Sequence, residues 1–347
     1  MPSTSSHTPH RFAGFSLVEL MVGIVVAMAA VIVVMQVFKV SEGQRRTTTG
    51  GDDASTTGAI ALSLLQRDLR QAGQGIANPQ LMACQLNLGN GRSVAQLLPL
   101  QINPAGIPAG DDDTDVLLVS YGSGWGGPEG ALIVTQPSAA QYTVGAPQAH
   151  QLGDRLIATP ATRAAPCALD LTSLSAAPVG NTISVALGAN GVAGGMLFNL
   201  GRTPRFMAYA VRQGRLTACD FLTHNCASAA PENWTEVADN IVSLRAEYAI
   251  DTTAPTRDLV VDSFAQMPPN AQFPGGVCAW SRIYGVRLAL VARNRQAEAQ
   301  DLDVPAPTWA SAEAPIQLAE GWQRFRYKTF ETTVPLRNMP LTFTGCP

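Results

Sequence analysis

Charge is scarce in this sequence. Asp, Glu, Lys and Arg together make up 14% of 347 residues, and the formal net charge is −3. Such a balance does not encode the basic surface that a polyanionic backbone requires, so nucleic acid is set aside as a partner. Histidine is rarer still, with four residues. His7 and His10 lie near the N-terminus, while His150 and His224 sit far apart in loop-like stretches. Neither a Gly-x-Ser-x-Gly elbow nor a His-Glu-x-x-His pair occurs, which leaves hydrolase chemistry without a signature. No Cys-x-x-Cys pair has zinc-ligand spacing. Internal repeats at solenoid periods are also missing. The expectation is a protein that is not an enzyme and carries no cofactor.

Glycine and proline, by contrast, are plentiful, with 31 and 24 residues. They suit a β-rich, loop-heavy fold, and the length suffices for one large domain or two modest ones. Cys84, Cys167, Cys219, Cys226, Cys278 and Cys346 form an even, widely spread set, as expected for disulfides in an oxidising compartment. Cys219 and Cys226 bracket "DFLTHN", which suits a short disulfide loop. Cys278–Cys346 would tie down the last residues, leaving Cys84–Cys167. This is one of about 15 connectivities that six cysteines allow.

All six cysteines follow a long apolar run, "GFSLVELMVGIVVAMAAVIVVMQVF", from Gly14 to Phe38. As a helix, Phe15–Phe38 spans about 36 Å, enough to cross a hydrocarbon core of about 30 Å. The leader before it is polar, with Arg11 its one formal charge. A signal-peptidase site would follow the apolar run, but here the small residue, Gly14, precedes it. Cleavage after Gly14 would remove residues 1–14 and leave a new ammonium on Phe15. That cation answers a problem posed by Glu19. A carboxylate at membrane depth costs roughly 2.5–3.5 kcal/mol, and a neighbouring amine would neutralise it. Charge alone does not orient the helix, because Lys39, Arg45 and Arg46 follow it.

Beyond the run, "SEGQRRTTTGGDDAS" contains poor helix formers, and a break is expected near Gly50. Helix then resumes as a continuation ending near Gly75. Leu62, Leu65, Leu69 and Ala72 form one apolar stripe there, with Arg67, Asp68 and Arg70 off it. Gly73 and Gly75 mark the stop. After Gly75 the pattern changes to short β-like runs between turn residues. Predicted strands are Asp115–Ser120, Ala131–Gln136, Leu152–Ala158, Thr182–Leu187, Phe206–Val211, Arg215–Cys219, Val242–Ile250, Ile283–Arg293 and Phe325–Val334, with Gln213-Gly214 as a hairpin turn. The fold class is therefore α+β: a long N-terminal helix packed on an antiparallel sheet formed within residues 76–347.

Two local motifs invite chemistry. "GSGWGG" (Gly122–Gly127) matches a dinucleotide fingerprint, yet Pro128 and a strand-like run follow where a helix is needed. Asp111, Asp113 and Asp115 alternate as in a calcium loop, but the EF-hand glycine and distal glutamate are missing. They make a weak calcium candidate.

The segment "GFSLVELMV" resembles the class III signal of type IV pilins and type II secretion pseudopilins. The resemblance implies cleavage by a prepilin peptidase between Gly14 and Phe15, N-methylation of Phe15, and an assembly role for Glu19. "LLQRDLRQAG", "WTEVADNIVSLRAEYAID", "IYGVRLALVARN" and "RFRYKTFETTVPLRNM" are together similar to PilW-type minor pilins. That implies a low-abundance subunit that primes filament assembly and sits near the pilus tip, with adhesion and twitching motility as consequences. The implied partners are the prepilin peptidase, other minor pilins, the major pilin, the assembly platform, a large tip adhesin and inner-membrane lipid. The implied location is the inner membrane with the C-terminus periplasmic, then the surface pilus. The alternatives are a type II secretion pseudopilin, or a membrane-tethered periplasmic binding protein or enzyme, which would show a convergent polar pocket.

Overall fold

The computed structural model describes residues 14, 16–124, 126–253, 257–267, 277–298, 300–311 and 315–339. The chain divides into two compact units, Met1–Gly50 and Gly51–Pro347.

In the first unit, helix α1 (Leu17–Gln71, extending into the second unit) carries a 27-residue stretch, Leu17–Gly43, that contains an 18-residue window of mean hydropathy 2.9. It is long and apolar enough to cross a membrane, and none of it is buried within the protein. The expected break near Gly50 does not occur, since helix continues through Gly50 and Gly51. Two glycines cost about 1 kcal/mol each relative to alanine. Interrupting a helix would require a second nucleation, which is the costly step. The boundary between the two compact units nonetheless falls at those glycines.

The second unit is mostly sheet. In chain order its strands are β1 (Gln85–Gly89), β2 (Arg92–Val94), β3 (Leu100–Ile102), β4 (Leu117–Tyr121), β5 (Ala131–Ser138) and β6 (Gln141–Val144). Next come β7 (Arg155–Thr159), β8 (Ala168–Asp170), β9 (Thr172–Ser173), β10 (Thr182–Ser184), β11 (Met196–Gly201) and β12 (Arg205–Arg212). The series closes with β13 (Arg215–Asp220), β14 (Thr235–Ala238), β15 (Ile241–Ile250), β16 (Ser263–Ala265), β17 (Ile283–Arg293) and β18 (Tyr327–Pro335).

The expected antiparallel sheet domain is built, among the described residues, from four sheets, ordered β2-β1-β8, β10-β6-β5-β11-β7-β9, β14-β13-β12-β4-β3 and β16-β15-β17-β18. All pairings are antiparallel except β1 with β8. β12 and β13 form the predicted hairpin, with Arg212 opposite Arg215. Gln213 and Gly214 both take positive φ, 55° and 69°, as a two-residue type I′ turn requires. The central strand β17 reads "IYGVRLALVAR" and is buried along most of its length. On β15, Leu244, Ala246, Tyr248 and Ile250 alternate inward as expected.

The main core joins α1 to these sheets. Ala54, Ala61, Leu65, Leu69 and Ala72 pack with Leu117, Val119, Tyr209, Leu244, Leu288 and Leu290. Each fully buried leucine contributes about 1.5–3 kcal/mol. Residues between Cys84 and Phe206 do not split off as a third unit. They do build a satellite core around Ile133, Tyr142, Leu156 and Leu197.

Candidate functional site

Two features of α1 bear on function: its apolar start and its anchored end. At the start, Glu19 lies in the first helical turn, where the backbone N–H groups favour negative charge. Side chains from Leu17 to Val40 are exposed on every face. A helix that is apolar all round is stable only in lipid or among other helices. Gly14 is exposed, whereas Phe15 and the leader before Gly14 lie outside the described residues.

The end of α1 is held by residues far away in sequence. Asn338 Nδ2 points at the last helical carbonyls, 3.1 Å from Ala72 O and 3.2 Å from Gln71 O. These carbonyls have no partner within the helix, so the amide serves as a C-terminal cap. Gly73 then adopts φ +87° and donates its N–H to Ser120 O at 2.9 Å. Added at Gly73, a Cβ would meet Asn338 O and Pro99 at 3.3 Å, so the stop depends on glycine both in conformation and in space. One step up the helix, Gln66 Nε2 donates to Thr332 Oγ1 at 2.9 Å. Gly58 lies so close to the Phe330 ring that a Cβ would stand 2.1 Å from its Cε2. Phe330, Thr332 and Asn338 all belong to "FETTVPLRNM", so that segment is the seat of the helix.

Asp68 departs from the expectation that it lies off the buried stripe. It is 3% exposed. Its Oδ2 accepts the Tyr209 hydroxyl at 2.5 Å, and its Oδ1 accepts Arg67 Nε at 3.1 Å. Burial, followed by the Asp68 charge, pushes the Tyr121 hydroxyl up to about 12 and raises Tyr209 further. Both phenols therefore stay protonated and able to donate.

The calcium candidates do not converge. The Asp111 carboxylate accepts the Gln213 and Gly214 N–H groups, each at 2.7 Å, and so pins the β12–β13 turn. Asp115 is buried and accepts from Asn103 Nδ2, Ala246 N–H and Gln266 Nε2 at 2.7–2.9 Å. Asp113 is exposed. Among the described residues no three His, Cys, Asp or Glu side chains are placed to hold a metal. The glycines of "GSGWGG" on either side of residue 125 pack closely: at Gly124 a Cβ would stand 2.6 Å from Gly201 N, and at Gly126 one would stand 2.8 Å from Asn199 O. β5 follows it, as the sequence suggests.

Cys84–Cys167 and Cys219–Cys226 are both bonded. Cys278 is also disulfide-bonded, and Cys346 lies outside the described residues. His150 is buried, with Nδ1 3.2 Å from Ala146 O and Nε2 without a partner. Desolvation lowers its pKa. His224 meets Thr223 Oγ1 at 2.7 Å on the surface.

On the opposite face of the β16–β18 sheet, Arg287 donates to Glu247 at 2.5 Å and 3.1 Å. Its guanidinium lies 4.1 Å from the Phe264 ring centre and 5.3 Å from that of Trp309. This stack, with the Ser311–Glu247 hydrogen bond, holds the segment around Trp309 and Ser311 on the sheet.

An apolar N-terminal helix long enough to span a membrane, joined to a mostly antiparallel sheet domain that clasps its far end, places the chain among α+β proteins with, among the described residues, one candidate anchor. Residues 208–338 match the family model described as type IV pilus-assembly protein W, which supports a PilW-type type IV pilus protein. The match runs from inside β12 to Asn338, and so takes in the helix seat. The family implies involvement in type IV pilus assembly. No curated protein and no solved structure matches the chain.

Proposed function

We propose that this chain is a minor pilin, processed between Gly14 and Phe15, that helps to prime type IV pilus assembly and lies near the pilus tip. The observation that carries this reading is the exposed apolar stretch Leu17–Gly43 with Glu19 in its first turn, on a helix whose other end is fixed into a sheet domain. In the inner membrane, lipid covers the apolar surface and the C-terminal unit is periplasmic. In the filament, the helices of neighbouring subunits replace that lipid. Glu19 of one subunit then pairs with the Phe15 ammonium of another and sets the register. The role is structural, without a catalytic step; other minor pilins, the major pilin, the assembly platform and a tip adhesin are its partners.

The test is mass spectrometry of the N-terminal peptide, taken from membranes and from sheared pili. A methylated Phe15 at the start in both fractions is expected. An intact Met1 would overturn the reading and favour a membrane-tethered protein. Glu19→Ala is expected to leave cleavage intact while lowering recovery in pili. Normal incorporation of that variant would remove the assembly role.

A further inference from the structure

A groove of about 680 Å³ opens beside the β12–β13 turn. One wall is the loop Asp111–Asp113, and the other is formed by Glu320, Trp322, Phe325 and Tyr327. Asp111, Asp112, Asp113 and Glu320 bring four carboxylates to the lining, Arg293 is the one cation among the described lining residues, and Arg245 donates to Asp113 O at 3.0 Å from outside it. Arg293 is engaged within the protein, its guanidinium 4.4 Å from the Phe325 ring centre. Asp112, Asp113 and Glu320 are exposed.

Both walls are fixed before any ligand arrives. The Asp111 carboxylate is locked onto the hairpin N–H groups, and the backbone of Asp113 adopts φ +56° behind it. Across the groove, Gly321 takes φ +78° to start the short 3-10 turn Trp322–Arg324. Tyr327 Oη donates to Trp322 O at 3.1 Å, and the two rings stand 6.3 Å apart with a tilt of 57°. Half-buried aromatic faces opposite exposed carboxylates favour one chemistry: a cation that pairs with the acids while lying over a ring. Neutral ligands would gain no charge pairing from the exposed carboxylates, and anions would be repelled.

We propose that this groove is a docking site for an arginine- or lysine-bearing segment of a partner protein. The inference rests on the assembly reading for the source of that segment, but its test does not involve the filament. The acidic wall lies outside the stretch similar to the PilW family, while the aromatic wall lies inside it.

The test uses the full chain in detergent micelles and fluorescently labelled tetra-arginine amide, followed by anisotropy. Saturable binding is expected, weakening as salt rises. The triple variant Asp112→Asn/Asp113→Asn/Glu320→Gln is expected to bind on the order of tenfold more weakly, as three exposed pairs are lost. Trp322→Leu should weaken binding about threefold through the lost ring face. A control, Asp52→Asn/Asp53→Asn/Asp301→Asn, removes the same charge elsewhere and should bind as the parent does. Equal weakening by that control would reduce the site to diffuse attraction and overturn the proposal. So would a lack of binding, or binding of maltotetraose in preference to the peptide. A processed Phe15 with no peptide binding would sink this inference alone, whereas peptide binding with an intact Met1 would sink only the pilin reading.

Discussion

One helix, α1, meets two different demands. From Leu17 to Phe38 it is apolar on all sides but for Glu19 and Gln36, and it is exposed. From Gly51 to Gln71 it buries a narrow stripe, Ala54, Ala61, Leu65 and Leu69, in the core of its own unit, with Ala72 continuing it just past the helix end. The first stretch has the composition of a core but none of the contacts. The second has polar residues on most of its surface and is fixed by a few buried side chains. Apolar content thus says that a helix needs cover, and periodicity says whether its own chain supplies it.

The sharpest way to break this comparison is to delete the same kind of group in each stretch. Leu69→Ala is expected to cost about 2–5 kcal/mol, read by denaturant unfolding of the full chain in detergent with near-UV circular dichroism. Val33→Ala in the exposed stretch should leave that midpoint within about 0.5 kcal/mol. Comparable losses from both would show that the first stretch is also packed within its own chain. Gly58→Val tests the closeness of the seat. Its side chain enters the Phe330 ring, and overpacking of about 1–3 kcal/mol is expected; an unchanged midpoint would mean that the ring moves freely aside. Asn338→Ala removes the cap and should cost about 1 kcal/mol. Amide exchange should rise in the last turn of α1 and stay as it was in the first. The smallest effect is that of acid. The folded His150 imidazole resists protonation, while in the unfolded chain it titrates near 6.5. The sheet unit should therefore begin to lose stability as pH falls below about 6.5, and continue to lose it down to the lowered folded pKa. His150→Gln should remove that slope; if the slope persists, other groups carry it.

Much of the second unit was legible because its strands announce themselves. β12, β15, β17 and β18 are long, β-branched or alternating, and bounded by turn residues, and each was found to within about two residues. The short strands β1, β3, β8 and β9 carry too few residues for a period to show. β11, "MLFNLG", is short and mixed, and pairs across a long loop with β7. The apolar stripe of α1 was equally plain, but Asp68 was not. Its place on the buried face depends on Tyr209, 141 residues away, and nothing local marks a charge that will find a phenol. The break expected at Gly50 shows the opposite error, in which local propensity was weighed above the cooperativity of a long helix. Of the candidate site, the order of Gly14, Phe15 and Glu19 raises the proposal of processing and assembly from the sequence, and the N-terminal peptide tests it. The seat of the helix was not legible, because the contacts of Phe330, Thr332 and Asn338 with α1 close only in three dimensions.

The cap at Asn338 has a consequence for the order of events during synthesis. Arg70 and Asn338 are 268 residues apart. The last turn of α1 is made early, yet its carbonyls wait for an amide that emerges only after every strand of the second unit has been translated. Until then the helix end has only local partners, such as the Gln74 N–H donated to Gln71 O at 3.0 Å, and water. A chain arrested before residue 338 would present α1 without its distal cap, and the clasp can close only after the described strands have been made.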